Sequence, residues 1–253
     1  MQIKVSIITA TYNSAATVKS CLDSVSKQSY SHIEHLLIDG ASSDDTLKIL
    51  NLYAQNHFDI KVISEPDKGI YDALNKGVKM ATGDVIGFLH SDDMLSSGDV
   101  IETIVAHFKH ESLHGVFGDL KYVDFFNSKL TKRYWRSSNF SLSKLKNGWM
   151  PPHPTLFLRR ELYMEYGLFN INFEIAADYD FILRIFKNPQ LKFKYLPRVL
   201  VLMREGGASN KNFRNIVKKS REDYTALKTN NFPFPLWTLL GKNTQKLPQW
   251  IFK

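Results

Sequence analysis

Two adjacent aspartates, Asp92 and Asp93, follow the apolar run VIGFL and a histidine, His90. Carboxylates at the end of a buried strand can bind a hard cation such as Mg²⁺ or Mn²⁺, because these ions prefer oxygen ligands and often keep waters and substrate phosphates in their shell. Aspartate also caps helices, and a helix is expected to begin near Ser97. Capping explains one acid better than two, so the pair indicates a metal site and leaves the cap as the alternative.

The elements that position these acids can be read from the first 120 residues. Short apolar runs rich in β-branched residues predict strands, and helical spacing predicts helices between them. The predicted strands are 5–9, 35–39, 61–64 and 85–89, and the predicted helices follow residue 18 and span 44–53 and 71–80. This alternation favours a parallel sheet wound by helices, in which ligands bind beyond the carboxyl ends of the strands. The segments at those ends are 9–13, 39–44, 65–69 and 90–93.

The second half of the chain has less regular signals. GVFGDLKYVDF predicts a strand that continues into a hairpin, and PTLFLRR predicts a strand behind a proline cluster. Further elements are predicted as helices at 160–166 and 179–186, strand segments at 191–196 and 198–203, and a basic amphipathic helix at 212–228. These elements are expected to build the rest of the site.

The length of 253 residues allows one α/β domain, or one domain with a smaller appendage. The N-terminus does not resemble a secretory signal, and no apolar run reaches the length of about 18 residues that a membrane span requires. We therefore expect a soluble or peripheral protein of the cytoplasm. The single cysteine, Cys21, lies on the apolar face of a predicted helix and is expected to be a core residue.

The net charge of +8 conceals an asymmetry between the two halves. Residues 1–126 hold 10 Lys and Arg against 17 Asp and Glu, whereas residues 127–253 hold 23 against 8. A basic second half favours an anionic partner, such as a phosphorylated substrate or a lipid surface. No nucleic-acid recognition motif accompanies the lysines, so nucleic acid is not expected.

The C-terminal tail combines basic and aromatic residues. Residues 206–253 carry nine Lys and Arg against two acids, and the interleaved aromatic residues include Phe232, Phe234, Trp237, Trp250 and Phe252. This composition suits the headgroup region of an anionic membrane. Packing of the tail on its own domain is the alternative.

Four motifs together resemble the family-2 glycosyltransferases: SIITATYN, LLIDGASSDDT, SEPDKGIYDALNKGVKMATGDVIGFLHSDD and AADYDFILR. These are inverting enzymes that transfer a sugar from a nucleotide donor. The resemblance implies the GT-A fold, an α/β Rossmann-like, mostly parallel sheet with helices on both faces. It implies a catalytic domain at 1–210, with a nucleotide-binding half at 1–100 and an acceptor-binding half at 101–210. A basic, helical and aromatic C-terminal extension would follow at 211–253.

The resemblance also implies residues that bind the donor. Tyr12 would pack on the base, whose flat face suits an aromatic ring. Asp39 would accept hydrogen bonds from the base or ribose. The remaining implied donor residues are Thr9, Asn13, Asp67, Lys68 and Asp92. For Asp67 and Lys68 a simple turn before Gly69 is the alternative.

The acidic turn matches the metal-binding motif of the family, usually written Asp-X-Asp. Asp92, Asp93 and His90 are the implied ligands of one Mn²⁺ or Mg²⁺ ion that bridges the donor diphosphate. The sequence departs from the pattern at His90, which stands where relatives have the first aspartate. Imidazole suits Mn²⁺ better than Mg²⁺.

An inverting transfer also requires a general base for the acceptor hydroxyl. Asp178 matches the family's base at the start of a helix, with Ala177 where a glutamate often lies, and Asp180 is the second candidate. The alternative is that Asp178 only interacts favourably with the helix dipole.

Three further residues have expected contacts with substrate. Trp149 is a candidate for the acceptor site and is equally explained as a core residue. His153 is a candidate for contact with acceptor, metal or diphosphate, although a lone histidine is more often a structural residue. Arg204, before Gly206 and Gly207, is a candidate for the donor diphosphate.

These residues together predict a metal-assisted inverting glycosyltransferase with a UDP- or GDP-sugar donor and a glycan or lipid-linked acceptor. A non-catalytic protein that binds nucleotide sugars or an anionic surface is the alternative, motivated by the departures at His90 and Ala177.

Overall fold

The predicted alternation of strands and helices forms a parallel sheet in a computed structural model, which describes residues 2–57, 59–110, 112–206, 213–245 and 249. The strands are β1 (Val5–Thr11), β2 (Ile33–Asp39), β3 (Ile60–Ser64), β4 (Val85–Phe88), β5 (Met94–Leu95), β6 (Gly115–Val123), β7 (Thr131–Trp135), β8 (Phe157–Arg159) and β9 (Phe193–Arg204). Their order across the sheet is β3-β2-β1-β4-β8-β6-β9-β5, and β7 pairs with β6. The first four in this order are parallel to one another, as the sequence predicts.

Helices cover both faces of this sheet. They are α1 (Val18–Ser26), α2 (Thr46–Ala54), α3 (Ile70–Met80), α4 (Val100–His110), α5 (Leu142–Lys146), α6 (Glu161–Glu165), α7 (Ala177–Phe186), α8 (Phe213–Thr229) and α9 (Pro235–Thr244). β1 shows how the faces are divided, because successive side chains of a strand point to opposite sides. Ile8 packs with α3 and α7, whereas Ile7 packs with α1 and α4. The predicted core residue Cys21 is fully buried on α1.

The second half extends the sheet with antiparallel pairs. β8 runs antiparallel to both β4 and β6, and β6 forms a hairpin with β7. The two strand segments predicted around Pro197 are one strand, β9, whose pairing with β6 is irregular there because proline has no N–H to donate. The strand predicted at 154–160 is confined to 157–159. A 3-10 turn, His153–Thr155, precedes it and accommodates Pro154.

The C-terminal helices pack on the domain. Ala226 and Leu227 of α8 are fully buried in the core that contains α7. α9 lies against the end of α5, where Gly148 has a positive φ of 87° and a side chain would collide with the backbone of Lys242. Phe232, predicted as part of a membrane-facing tail, is instead buried. Trp250, Phe252 and Gly207 lie outside the described residues.

None of the helices in the described parts of the chain has the length and apolarity needed to cross a bilayer.

Candidate active site

The carboxyl ends of β1 and β4 open on a cleft of about 810 Å³. Segments far apart in the chain contribute to its lining. Residues before 100 supply Ala10, Ile70, Tyr71, His90, Ser91 and Asp92, and later residues supply, among others, Tyr122, Trp135, His153, Glu174, Asp178, Arg214 and Lys218. The predicted base and the acidic turn therefore share one cavity, although 86 residues separate Asp92 from Asp178.

The loops after β1, β2 and β3 converge beside this cleft. Gly40, in the loop after β2, lies very close to the other two loops. A Cβ added to it would be 2.5 Å from Oδ2 of Asp67 and 3.4 Å from the ring of Tyr12. The ring of Tyr12 is 65% exposed, so it is accessible to a planar ligand. Asn13 fastens the first loop to the second, since its Oδ1 accepts from the backbone N–H of Ser43 at 2.9 Å. The structure thus brings together three segments that the sequence assigned to donor binding.

Asp67 and Lys68 form the turn that starts α3. Oδ1 of Asp67 accepts from the N–H of Gly69 at 2.8 Å, and Gly69 has a φ of 113°, which favours glycine. The backbone N–H of Lys68 donates to Asp72 at 3.0 Å, and the Lys68 side chain is exposed. The backbone of these residues therefore forms the simple turn that was the alternative to donor binding. Contact of the Asp67 and Lys68 side chains with a nucleoside stays a prediction.

Asp39 is fully buried at the end of β2 and is satisfied by the protein itself. Its carboxylate accepts from Thr11 at 3.0 Å, from Ser64 at 2.7 Å, and from the backbone and hydroxyl of Ser42. Burial opposes ionisation, but the hydrogen bonds from Ser42, Ser64 and Thr11 prevail and lower the pKa of Asp39. In this arrangement Asp39 orders the loop after β2, and its contact with a base stays a prediction.

Thr9 is a correction to the sequence prediction. β1 continues to Thr11, two residues beyond the predicted end, so Thr9 lies inside the sheet with no exposed surface. Its hydroxyl is 2.9 Å from Nε2 of His35, also buried. Thr9 therefore belongs to the core of the sheet.

The acidic turn presents Asp92 and His90 to the cleft. The hydroxyl of Ser91, between them, lies 2.9 Å from that of Ser14 and connects the turn to the loop after β1. Nδ1 of His90 is buried without a hydrogen-bond partner. Burial lowers the pKa of His90 while the carboxylates of Asp92 and Asp178 oppose that effect, so the neutral imidazole is favoured.

Asp93 is a second correction, because it is fully buried and does not line the cleft. Its Oδ1 accepts from the backbone N–H of Arg204 at 3.2 Å. Burial and the adjacent Asp92 carboxylate raise the pKa of Asp93 well above its usual value. Asp93 therefore connects the turn to β9, although its Oδ2 has no hydrogen-bond partner. The side chains of the turn that line the cleft and can bind a metal there are those of Asp92 and His90.

Arg204 holds the same turn from β9. Its guanidinium donates to the carbonyl of Asp92 at 2.7 Å, to the hydroxyl of Ser20 at 3.0 Å and to the carbonyl of Phe125 at 3.1 Å. These donors are engaged within the protein, so the predicted contact of Arg204 with a diphosphate stays a prediction.

Asp178 is the second residue of α7 and lines the cleft. The hydroxyl of Tyr71, on α3, shares its single hydrogen between the carbonyl of Ile175 at 2.7 Å and Oδ1 of Asp178 at 3.2 Å. Burial and the Asp178 carboxylate raise the pKa of Tyr71 well above its usual value, so the phenol stays a donor. Asp180, the second candidate for the base, is instead buried and bonded to Arg184 and Asn230.

Glu222 of α8 orders the segment that leads into α7. Its Oε2 accepts from the backbone N–H groups of Ile175 at 2.8 Å and Ala176 at 3.0 Å, and Oε1 accepts from that of Glu174 at 3.2 Å. A carboxylate suits this position, because N–H groups at a helix start are unsatisfied and carry partial positive charge. Sequence reasoning missed both Tyr71 and Glu222.

The two candidate acceptor residues differ in the structure. His153 lines the cleft, its Nε2 has no partner, and burial lowers its pKa to about 4. Trp149 is a third correction, since it is buried and packs against Phe117, Phe140 and Phe186. An indole enclosed by other aromatic rings cannot stack on a sugar.

The residues present fit a divalent ion only in part. Within the described residues, no cluster of three or more His, Cys, Asp or Glu side chains has the arrangement of a metal site. Asp92 and the unpartnered Nδ1 of His90 can supply two ligands. A small set of this kind suits an ion that completes its shell with waters and substrate phosphates.

Comparison with known proteins gives a consistent result. The model of the family described as "Glycosyl transferase family 2" matches residues 6–167. A curated relative, the PGL/p-HBAD biosynthesis glycosyltransferase of Mycobacterium bovis (strain BCG / Pasteur 1173P2), is 36% identical over 208 residues, which cover 81% of this chain and 78% of the relative. Chondroitin synthase of Pasteurella multocida is 32% identical over 197 residues, 77% of this chain but 20% of that protein.

Solved structures with the same architecture have low sequence identity. S. aureus TarS 1-349 in complex with UDP-GlcNAc has a TM-score of 0.65 at 18% identity, and the match covers 98% of this chain and 79% of that one. The mannosyltransferase PcManGT from Pyrobaculum calidifontis in complex with GDP-Man and Mn²⁺ has a TM-score of 0.67 at 18% identity, with coverage of 99% and 74%. These similarities confirm the predicted GT-A fold.

Proposed function

Because the chain belongs to glycosyl transferase family 2, we propose that it transfers a sugar from a nucleotide-sugar donor, with inversion, to an acceptor hydroxyl. The observation that carries the proposal is the common cleft of Asp92 and Asp178. One group can face the donor diphosphate while the other faces the acceptor. The fold alone would not support this conclusion, since function depends on the site.

Asp178 is the general base of the proposed reaction. The acceptor oxygen attacks the anomeric carbon, a carbon–oxygen bond forms, and the acceptor proton passes to the Asp178 carboxylate. The bond between the anomeric carbon and the diphosphate oxygen breaks, and its electron pair leaves with the nucleoside diphosphate. Tyr71 and Glu222 hold Asp178 at the acceptor hydroxyl through the contacts described above.

Asp92 and His90 are the proposed metal ligands. A bound Mn²⁺ or Mg²⁺ supplies Lewis-acid stabilisation of the leaving diphosphate. His90 favours Mn²⁺, because imidazole is a poorer ligand for Mg²⁺. The Mn²⁺ complex of PcManGT, a protein of the same fold, is consistent with this choice.

The donor nucleoside is proposed to lie on the exposed ring of Tyr12, beside Asn13, Asp39, Asp67 and Lys68. UDP and GDP sugars are the donor classes to test. TarS binds UDP-GlcNAc and PcManGT binds GDP-Man.

The acceptor is proposed to be a glycan or lipid-linked molecule of the cell envelope, by analogy with the biosynthetic relatives. Contact with an anionic membrane is part of this proposal. Phe234, Leu236, Trp237 and Leu240 support it, since each is more than 60% exposed at or near α9. Binding to anionic vesicles that weakens with salt and with Trp237→Ser is expected, and binding unaffected by either change would contradict the membrane contact.

A panel of UDP- and GDP-sugars, assayed with Mn²⁺ for donor hydrolysis and transfer, tests the proposal. Turnover of one donor class is the expected result. A non-catalytic protein would give metal-dependent nucleotide binding without turnover. Absence of both binding and turnover across the panel would overturn the proposed function.

A further inference from the structure

One side of the cleft is apolar and has no part in the reaction described so far. We define the apolar wall as the five residues Leu120, Tyr122, Trp135, Met150 and Met203. Tyr122, Trp135 and Met203 are half-buried, so part of each side chain is accessible, whereas Leu120 and Met150 are buried. The wall is therefore a surface on which a ligand in the cleft can lie.

Strand pairing makes most of the wall one continuous surface. Leu120 and Tyr122 are two residues apart on β6 and point to the same face. Leu120 is directly opposite Trp135 on β7, and Tyr122 is directly opposite Met203 on β9. Because directly opposed residues share a face, these four side chains form one patch across three strands. A patch built on a sheet is already ordered before a ligand arrives, which reduces the entropy lost on binding.

Arg133 supports the two aromatic rings of the wall. Its guanidinium carbon lies 4.6 Å from the centroid of the Tyr122 ring and 6.0 Å from that of Trp135. Arg133 is 6% exposed, so these cation–π contacts are shielded from water and stronger than those of a surface arginine. The rings are therefore held in position.

The wall and the proposed base share one cleft, since Tyr122 and Asp178 both line it. Burial raises the pKa of Tyr122, and the Asp178 carboxylate is among the charges that add to this effect. A molecule whose hydroxyl meets Asp178 can place its neighbouring atoms on the wall.

We propose that the apolar wall binds the aryl or alkyl aglycone of an acceptor glycoside whose sugar hydroxyl meets Asp178. The inference rests on the proposed function and names its acceptor class. Among the accessible wall residues, Met203 offers no hydrogen-bond partner, so a polyhydroxylated glycan that covered it would bury hydroxyl groups at a cost. An apolar aglycone removes water from the wall at no such cost, and methionine side chains adapt to its shape.

The test compares acceptors that share one sugar and differ only in the aglycone. With a donor found in the nucleotide-sugar panel, phenyl and octyl glycosides are expected to have a KM about 30-fold lower than the matching methyl glycosides. Equal or better KM values for the methyl glycosides across the sugars tested would overturn the inference.

Two substitutions locate the effect on the wall. Met203→Thr and Trp135→Ala are each expected to reduce the phenyl-to-methyl preference by about 5-fold or more. Tyr134→Ala is the matched control, because Tyr134 neighbours Trp135 on β7, points to the opposite face and donates to Asp119 at 2.8 Å. It removes an aromatic ring at a comparable structural cost and should leave the preference unchanged. A preference that falls equally in Tyr134→Ala would contradict the assignment.

Failure of this inference is distinguishable from failure of the proposed function. Hydrolysis of the donor in the absence of an acceptor tests the proposed function and does not depend on the apolar wall. If no transfer occurs, calorimetry of phenyl and methyl glycosides with protein and nucleoside diphosphate still measures the aglycone preference. Tighter binding of the phenyl glycoside supports the wall, and equal affinity overturns it.

Discussion

The hydroxyl of Tyr71 lies 3.2 Å from Oδ1 of Asp178, although 107 residues separate them in the chain. The same hydroxyl donates to the carbonyl of Ile175 at 2.7 Å. α3, which follows the loops proposed to bind the donor, is thereby connected to the start of α7, which carries the proposed base. This contact fixes the two sides of the cleft relative to each other.

Tyr71→Phe is expected to lower kcat by about 10-fold, because Asp178 loses a hydrogen bond that orients it. The ring and its packing on Phe169 are retained, so the fold should be unaffected. Tyr179→Phe is the matched control, since the Tyr179 hydroxyl is buried without a partner. Steady-state kinetics measure kcat of both variants, and thermal unfolding checks that both are folded. Wild-type kcat in Tyr71→Phe would show that the contact is irrelevant to turnover.

Glu222→Gln is expected to lower kcat by about 10-fold while the donor KM changes less. A carboxylate that accepts three backbone N–H groups holds the segment before Asp178 more strongly than an amide, whose single oxygen is uncharged. Kinetics of this variant are compared with those of Arg221→Gln, an exposed neighbour on α8. A loss of stability with unchanged kcat would mean that Glu222 has a structural role alone.

Asp92→Asn is expected to weaken Mn²⁺ binding in the presence of nucleoside diphosphate by about 10-fold or more, because a charged ligand is replaced by a neutral one. Electron paramagnetic resonance of free Mn²⁺ measures the affinity directly, independently of turnover. Asp99→Asn, at an exposed acid paired with Arg198, is the control. An unchanged Mn²⁺ affinity in Asp92→Asn would remove Asp92 from the metal site.

The ionisation of Glu34 is expected to make the free energy of unfolding depend on pH. Burial opposes its ionisation, but hydrogen bonds from Ser6 and Thr82, together with Lys4, lower the pKa of Glu34 to about 2. A folded-state pKa below the unfolded value of 4.5 means that the stabilisation is complete above pH 4.5 and is lost as the pH falls toward 2. The difference corresponds to roughly 3 kcal/mol.

Denaturant unfolding of the wild type and Glu34→Gln between pH 7 and pH 3 tests this prediction. The variant should be less stable at pH 7 and should lose less stability on acidification. Parallel pH profiles for the two proteins would show that Glu34 does not contribute to acid sensitivity.

The parallel half of the fold and the main acids of the site follow from sequence patterns. Alternating strand and helix periods predicted β1 to β4, acids at the end of a predicted strand pointed to Asp92, and the family resemblance pointed to Asp178. Strand ends and the direction of side chains in turns were harder to predict. Thr9 was assigned to the donor because β1 was predicted to end there, whereas β1 continues to Thr11. Asp93 lies in the turn before β5, and like Thr9 it is fully buried.

Long-range side-chain contacts could not be predicted. Glu222 lies 46 residues from Ala176, and no local pattern marks a carboxylate that will accept N–H groups from another helix. The role of Trp149 was also not predictable from the sequence, because an aromatic residue beside prolines is equally consistent with a core position and with a sugar-binding surface. Its packing against Phe117 and Phe186 shows that it is a core residue.

Asp178→Asn tests the central claim most directly. Turnover of the active donor is measured beside that of Asp180→Asn, a matched change two residues along α7 at an acid bonded within the protein. Asp178→Asn is expected to lose about 1,000-fold in kcat, with nucleotide binding by calorimetry retained, and Asp180→Asn is expected to keep most of its activity. Wild-type turnover in Asp178→Asn would show that Asp178 is not the general base.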